Sequence, residues 1–166
     1  HTFIKTILAR LLPRATKTDR SYNVYVTERS VRFHEMEYSL PLSALPMALK
    51  GIKNLVGSND FPTLFPIEFR FVKKDNNSLS PAYGKEDRVY IAFHTYHSER
   101  FYEPYFRKAE TLLMQLGGRP HWGKMFFAER DRFEAMYPQL DNVREIQRRF
   151  DPQSKFLTNK LKKDVF

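Results

Sequence analysis

The run Gly117-Gly118-Arg119-Pro120-His121-Trp122-Gly123-Lys124 holds a histidine, a lysine and the chain's sole tryptophan within four positions. Each of those side chains carries a polar group that needs a partner when buried, so packing alone is a poor reason to keep them together. An imidazole and an ammonium group can instead hold a substrate oxygen or move a proton. Upstream, Glu68 and Arg70 flank Phe69, and His94 lies in the apolar stretch Val89–Tyr96. Side chains alternate along a strand, so Glu68 and Arg70 fall on one face with their Cα atoms about 6.6 Å apart, opposite Ile67, Phe69 and Phe71. In the next strand Tyr90, Ala92, His94 and Tyr96 oppose the core row Val89, Ile91 and Phe93. If these two strands pair, a carboxylate, a guanidinium and an imidazole share one surface. A last strand over Arg119–Phe126, with Lys124 on the face of Trp122, adds an ammonium group. That set suits hydroxyl binding, charge stabilisation and proton transfer.

Each residue also has a plain structural reading. Glu68 and Arg70 make an ordinary same-face ion pair, worth little when exposed. His94 is a satisfied sheet histidine, Lys124 a solvated strand end, Trp122 a core residue and His121 a backbone partner. His34 and His97 have no such context, and no i, i+4 histidine pair or carboxylate spacing supports a metal site.

The elements that must position these groups follow from the apolar pattern. Phe3–Leu12 has helical spacing and Pro13 ends it. Tyr22–Val26 reads as a short strand and Val31–Tyr38 as a longer one. Ser43 is placed to cap a helix running to about Val56, with Leu45, Ala48, Leu49, Ile52 and Leu55 on its buried stripe. Leu64–Val72 is a strand, and Lys73–Arg88 a polar loop with Asp75-Asn76-Asn77 and Pro81 as turn residues. After the His94 strand, Ser98 is placed to cap a helix that buries Tyr102, Tyr105, Phe106, Ala109, Leu112, Leu113 and Leu116, with Gly117 at its C′ position. Two helices follow the last strand, Glu129–Met136 and Asp141–Phe150, the second ended by Asp151-Pro152. The order β-α-β, β-α-β predicts an α+β, ferredoxin-like antiparallel sheet with both helices on one face, plus flanking N- and C-terminal helices. The other face then needs cover from those flanking helices or from a partner domain.

At 166 residues a single domain is the default, and 42% hydrophobic residues suffice for a core. No stretch approaches the roughly 18 apolar residues of a membrane span. With no cysteine, disulfides and thiolate zinc sites are excluded, which suits a reducing compartment. The net charge of +9 invites a nucleic-acid reading. Its basic residues are spread along the chain, however, and no helix-turn-helix, RNP or zinc-finger pattern accompanies them. A basic surface also attracts anionic lipid.

Arg119-Pro120-His121-Trp122-Gly123-Lys124 resembles the carboxyl-terminal signature of the sugar-1,4-lactone and alditol oxidases, of the D-arabinono-1,4-lactone oxidase type, within the vanillyl-alcohol oxidase superfamily. Four further segments match in order: Val31-Arg32-Phe33 with Glu35-Met36-Glu37-Tyr38; Glu68-Phe69-Arg70 with Leu79-Ser80-Pro81-Ala82-Tyr83-Gly84; Phe93-His94; and Asp151-Pro152 with Phe156 and Asn159. The resemblance covers most of the chain from about Tyr22. It implies an FAD-dependent oxidoreductase acting on a CH–OH donor, a sugar lactone or polyol, by hydride transfer to flavin. It implies catalytic roles for Glu68, Arg70, His94 and Lys124, and substrate contacts for Glu68, Arg70, Lys124, His121 and, more weakly, Tyr96. Arg70 and Trp122 are the implied contacts to the cofactor. The family holds FAD mainly in a separate amino-terminal domain, and residues 1–166 hold no Gly-rich loop between a strand and a helix. The chain is therefore expected to be the substrate-binding (cap) domain of a larger flavoprotein, inactive alone, partnered by the FAD-binding domain of the same parent chain. No nucleic-acid partner is expected, and the expected location is cytoplasmic or membrane-peripheral. The alternative is a non-enzymatic binding module, a basic ferredoxin-like nucleic-acid binder using Tyr90 and Tyr96 as stacking platforms.

Overall fold

The computed structural model describes residues 18–26, 30–58, 60–61, 65–98 and 100–166. The helix expected over Phe3–Leu12 lies outside them. The chain divides into two compact units, His1–Val31 and Arg32–Phe166. In the first, the segment expected as a strand is instead a short helix, α1 (Ser21–Tyr25). Local bonds explain the difference: the Arg20 carbonyl accepts from Asn23 and Val24 N–H, and Asp19 accepts from the Asn23 side chain. A five-residue stretch with no paired strand closes its hydrogen bonds on itself.

The second unit contains β1 (Phe33–Pro41), α2 (Leu45–Gly57), β2 (Glu68–Val72), β3 (Arg88–Tyr96), α3 (Tyr102–Gln115), β4 (Arg119–Pro120), α4 (Arg130–Met136), α5 (Leu140–Phe150) and α6 (Asn159–Asp164). The strands form one sheet in the order β2-β3-β1-β4, with every neighbouring pair antiparallel. This is the ferredoxin-like arrangement the pattern predicted. Register fixes the faces. Met36, Tyr38 and Leu40 pair with Phe93, Ile91 and Val89, and all six are fully buried. They pack with Ala48 and Ile52 of α2 and with Tyr105, Phe106, Ala109 and Leu113 of α3. Burying each large apolar side chain contributes about 1.5–3 kcal/mol, so this row is the main support of the sheet.

Glycines set one close approach and one helix stop. A Cβ on Gly51 would lie 2.5 Å from Leu112 Cδ1, where α2 crosses α3. At the end of α3, Gly117 adopts φ +77°, its N–H donates to the Met114 carbonyl, and Gly118 N–H donates to the Leu113 carbonyl. That pair of bonds is a Schellman motif, with Gly117 at C′ as expected.

Several details differ from the pattern. A 3-10 turn, Leu42–Ala44, precedes α2, and Ser43 bonds Glu86 instead of capping. Leu49 is exposed, because Ala48 and Ile52 already fill the narrow contact stripe. Phe71 is on the helix face by register but is 68% exposed, on the edge strand β2. Ser98 does not cap α3, whose N-cap position is Phe101. The last strand stops at Pro120, two residues long instead of eight. Among the described residues no helix is long and apolar enough to cross a membrane.

Candidate functional site

The second face of the sheet carries the polar rows. Glu35 of β1 lies opposite His94 of β3, Glu37 opposite Ala92, and Ser39 opposite Tyr90. From β2, Glu68 lies opposite Ala92 and Arg70 opposite Tyr90. The pairing assumed from the sequence therefore holds, and Glu68, Arg70 and His94 share one face.

Lys124 reaches the same face by another route. After Pro120 the chain turns, with Lys124 N–H donating to the His121 carbonyl. It stays fastened to β1 because His121 N–H donates to the Glu37 carbonyl and Met125 N–H to the Glu35 carbonyl. Alternation thus has no strand to act on here, and the expected sharing of a strand face by Lys124 and Trp122 does not occur. The turn delivers the Lys124 ammonium to the carboxylates of Glu35, at 2.5 Å, and Glu37. Trp122 goes elsewhere. Its ring stacks on Phe133 and packs beside Tyr137, each at a centroid distance of 5.2 Å, and its Nε1–H donates to the Leu79 carbonyl. Trp122 thereby pins the loop after β2 to α4. His121 accepts the Gly123 N–H on Nδ1, which closes the turn that presents Lys124.

Glu35 and Glu37 are the centre of the constellation. Arg70 Nη2 lies 2.9 Å from Glu68, 3.6 Å from Glu37 and 4.0 Å from Glu35. His94 Nε2 is 3.2 Å from Glu35 Oε1, the oxygen that also takes Lys124. Burial pushes the Glu35 carboxyl up, but Lys124 and then His94 outweigh it and hold it below its ordinary value. Sequence reasoning included these two glutamates only as part of a matching segment. The signal was available: acidic residues at i and i+2, interleaved with Met36 and Tyr38, must line one strand face.

The face is less bare than expected. Glu37, Ser39, Arg88, Ala92 and His94 are all buried. Arg70 and Lys124 lie across the two glutamates, and the rings of Phe33 and Phe65 close on His94 at 5.5 and 5.8 Å. Ser39 donates to the Pro81 carbonyl, so the loop after β2 covers that end. Arg70 and Glu68 are half-exposed, and Tyr96 stands at the rim beside Phe65, 4.5 Å between ring centroids. A shallow depression of about 320 Å³ opens beside Lys124, lined by Phe33, His34, Glu35, Gly123 and Met125. A larger cleft of about 650 Å³ lies between α3 and α4 and contains none of the candidate residues. The ionisable groups converge at the smaller depression, and the larger cleft lacks that chemistry. Among the described residues no group of three or more His, Asp or Glu side chains is arranged to hold a metal ion.

A face of this kind, with fixed cations held by carboxylates beside an imidazole, is equipped to bind and polarise hydroxylated ligands. Residues 1–164 match the model of the D-arabinono-1,4-lactone oxidase family, and the chain belongs to that family. The L-gulono-1,4-lactone dehydrogenase of Mycobacterium tuberculosis is 38% identical over 156 residues, 94% of this chain and 36% of that protein. The L-gulonolactone oxidase of Scyliorhinus torazame is 32% identical over 92% of this chain and 36% of its own length. An alditol oxidase of a Streptomyces species is 32% identical over 79% of this chain and 31% of its own. The chain thus spans about a third of the length of these relatives, which are named as oxidoreductases of lactones and alditols.

Proposed function

We propose that this chain is the substrate-binding portion of a longer FAD-dependent oxidoreductase that oxidises a CH–OH group of a sugar lactone or polyol. The observation that carries the reading is the convergence of Glu68, Arg70, His94 and Lys124 around Glu35 and Glu37 on one sheet face. The relatives' names and the third of their length that is covered support it.

The donor set fits one end of FAD. A half-exposed guanidinium, Arg70, is suited to balance negative charge on a reduced ring. No Gly-rich turn joins a strand to a helix among the described residues, so nothing there suits the pyrophosphate. Arg70 is accordingly the residue that would touch the cofactor, while Trp122, committed to Phe133 and Leu79, supports the wall of the site. The chemistry FAD supplies when bound is acceptance of a hydride from the carbinol carbon.

The chain's own residues do the rest. Lys124 uses two N–H groups on Glu35 and Glu37 and keeps the third for a substrate oxygen. Glu68 accepts from substrate hydroxyls at the rim, beside Arg70. His94 is buried, so it acts through Glu35 rather than by touching substrate; the Oε1–Nε2 pair is where the hydroxyl proton is held. Tyr96 and His121 shape the edges. The nucleic-acid alternative is disfavoured because Glu35, Glu37 and Glu68 occupy the face that would have to approach phosphates.

The test is the complete gene product supplied with FAD, assayed anaerobically for bleaching of flavin absorbance by L-gulono-1,4-lactone, D-arabinono-1,4-lactone and a set of alditols. Reduction by at least one of them is expected. Failure of all to reduce the flavin would overturn the reading.

A further inference from the structure

The two strong cations of the site already have protein partners. Arg70 is shared by Glu68, Glu37 and Glu35, and Lys124 by Glu35 and Glu37. Those five residues give three carboxylates against two cations, a surplus of one negative charge that His94, 3.2 Å from Glu35, offsets only when its imidazole is protonated. Arg88 stands at the far end of the same face, but its guanidinium is buried and donates to Ser39 and to the Gly117 carbonyl. Glu37 is the deepest of the acids, 2% exposed, so water and salt screen its charge poorly.

We infer that the Glu35–Glu37 pair makes this face selective for uncharged polyhydroxy ligands: it admits a lactone or alditol and refuses the aldonate that forms when the lactone ring is hydrolysed. The inference rests on the lactone and polyol reading and deepens it by naming the residues that sort ligands by charge. A hydroxyl can both donate to these carboxylates and accept from the free Lys124 N–H. A ligand carboxylate only accepts. It can take the free Lys124 N–H, but only by lying against Glu35 and Glu37 with no proton to donate to either of them. Lactone and aldonate share nearly all their hydroxyls, so charge is the cheapest physical basis for telling them apart.

The experiment uses the complete gene product loaded with FAD, at fixed ionic strength. Half-saturation by L-gulono-1,4-lactone is compared with the inhibition constant of sodium L-gulonate, in the wild type and in Glu37→Gln and Glu35→Gln. In the wild type, gulonate is expected to bind at least about a hundredfold more weakly than the lactone, and in Glu37→Gln that ratio is expected to shrink by about tenfold, equivalent to ~1.4 kcal/mol. Inhibition by an uncharged alditol should move much less, which separates charge from a packing defect. Gulonate binding as well as the lactone in the wild type would overturn the inference, and so would a ratio unmoved in both variants. If the wild type oxidises no lactone or alditol, the underlying reading falls instead. If one variant fails to fold, the ratio in the other still tests the pair.

Discussion

Strand β1 separates two buried carboxylate clusters that solve the same electrostatic problem in opposite ways. On the helix face, Glu110 of α3 accepts from three neutral donors: the Tyr38 hydroxyl and the N–H groups of Phe127, at 2.8 Å, and Ala128, at 3.2 Å. On the other face, one and three residues from Tyr38, Glu37 and Glu35 are met by ammonium, guanidinium and imidazole groups. Neutral donors tie a helix and the segment after β4 to the sheet and leave nothing to exchange with a ligand. Ionic partners keep mobile protons and a free N–H. The first cluster is a structural tie, and it pushes the Tyr38 phenol far up through burial and the neighbouring Glu110. The second is equipped for chemistry.

Removing a member of each cluster should separate these roles. The largest effect expected is on catalysis: Lys124→Met in the FAD-loaded gene product should lose at least about a hundredfold in kcat/KM, the usual scale for an electrostatic group at a reacting oxygen. An unchanged kcat/KM would erase the distinction between the faces. Glu110→Leu should do the reverse. It strands a buried hydroxyl and two N–H groups and should lower stability by about 3 kcal/mol in denaturant titration, with kcat/KM per folded molecule preserved.

The acid limb of stability sharpens the contrast. The folded Glu35 carboxyl is held below its ordinary value, so its contribution is present above the unfolded value and is lost as pH falls through the depressed folded value. Thermal midpoints measured from neutral pH downward should therefore fall less steeply in Glu35→Gln than in the wild type. Parallel curves would show that Lys124 and His94 do not stabilise the ionised form. The smallest stability effect belongs to Glu68→Gln. Its partner Arg70 is half in solvent, so the change should stay within about 0.5 kcal/mol, detectable only by careful chemical denaturation.

Much of this contrast could be read before any coordinates, because it rests on period-two alternation. Glu68, Arg70 and His94 fell on the expected face since one-residue register slips are forbidden when the other face is a core of Met36, Tyr38, Ile91 and Phe93. Gly117 was legible as a helix stop for the same kind of local reason. The turn at His121–Lys124 was not, because it is set by two backbone bonds to β1 that are non-local. Tyr22–Val26 misled because a five-residue apolar alternation is also compatible with one helical turn. Glu110 left a trace that pattern reading passed over: a charged residue on the buried stripe of Phe106, Ala109 and Leu113. Of the partners that satisfy it, Tyr38 stands on β1 and the Phe127 and Ala128 N–H groups arrive from beyond β4, and spacing within α3 says nothing about them.

The most direct test is a crystal structure of the complete FAD-bound protein soaked with a lactone that it oxidises. Our account expects the lactone on the Glu35–Glu37 face, with its oxygens within hydrogen-bond distance of Lys124 Nζ and the Arg70 guanidinium and a hydroxyl on Glu68. A lactone seated in the cleft between α3 and α4, or anywhere out of reach of Lys124, would contradict it.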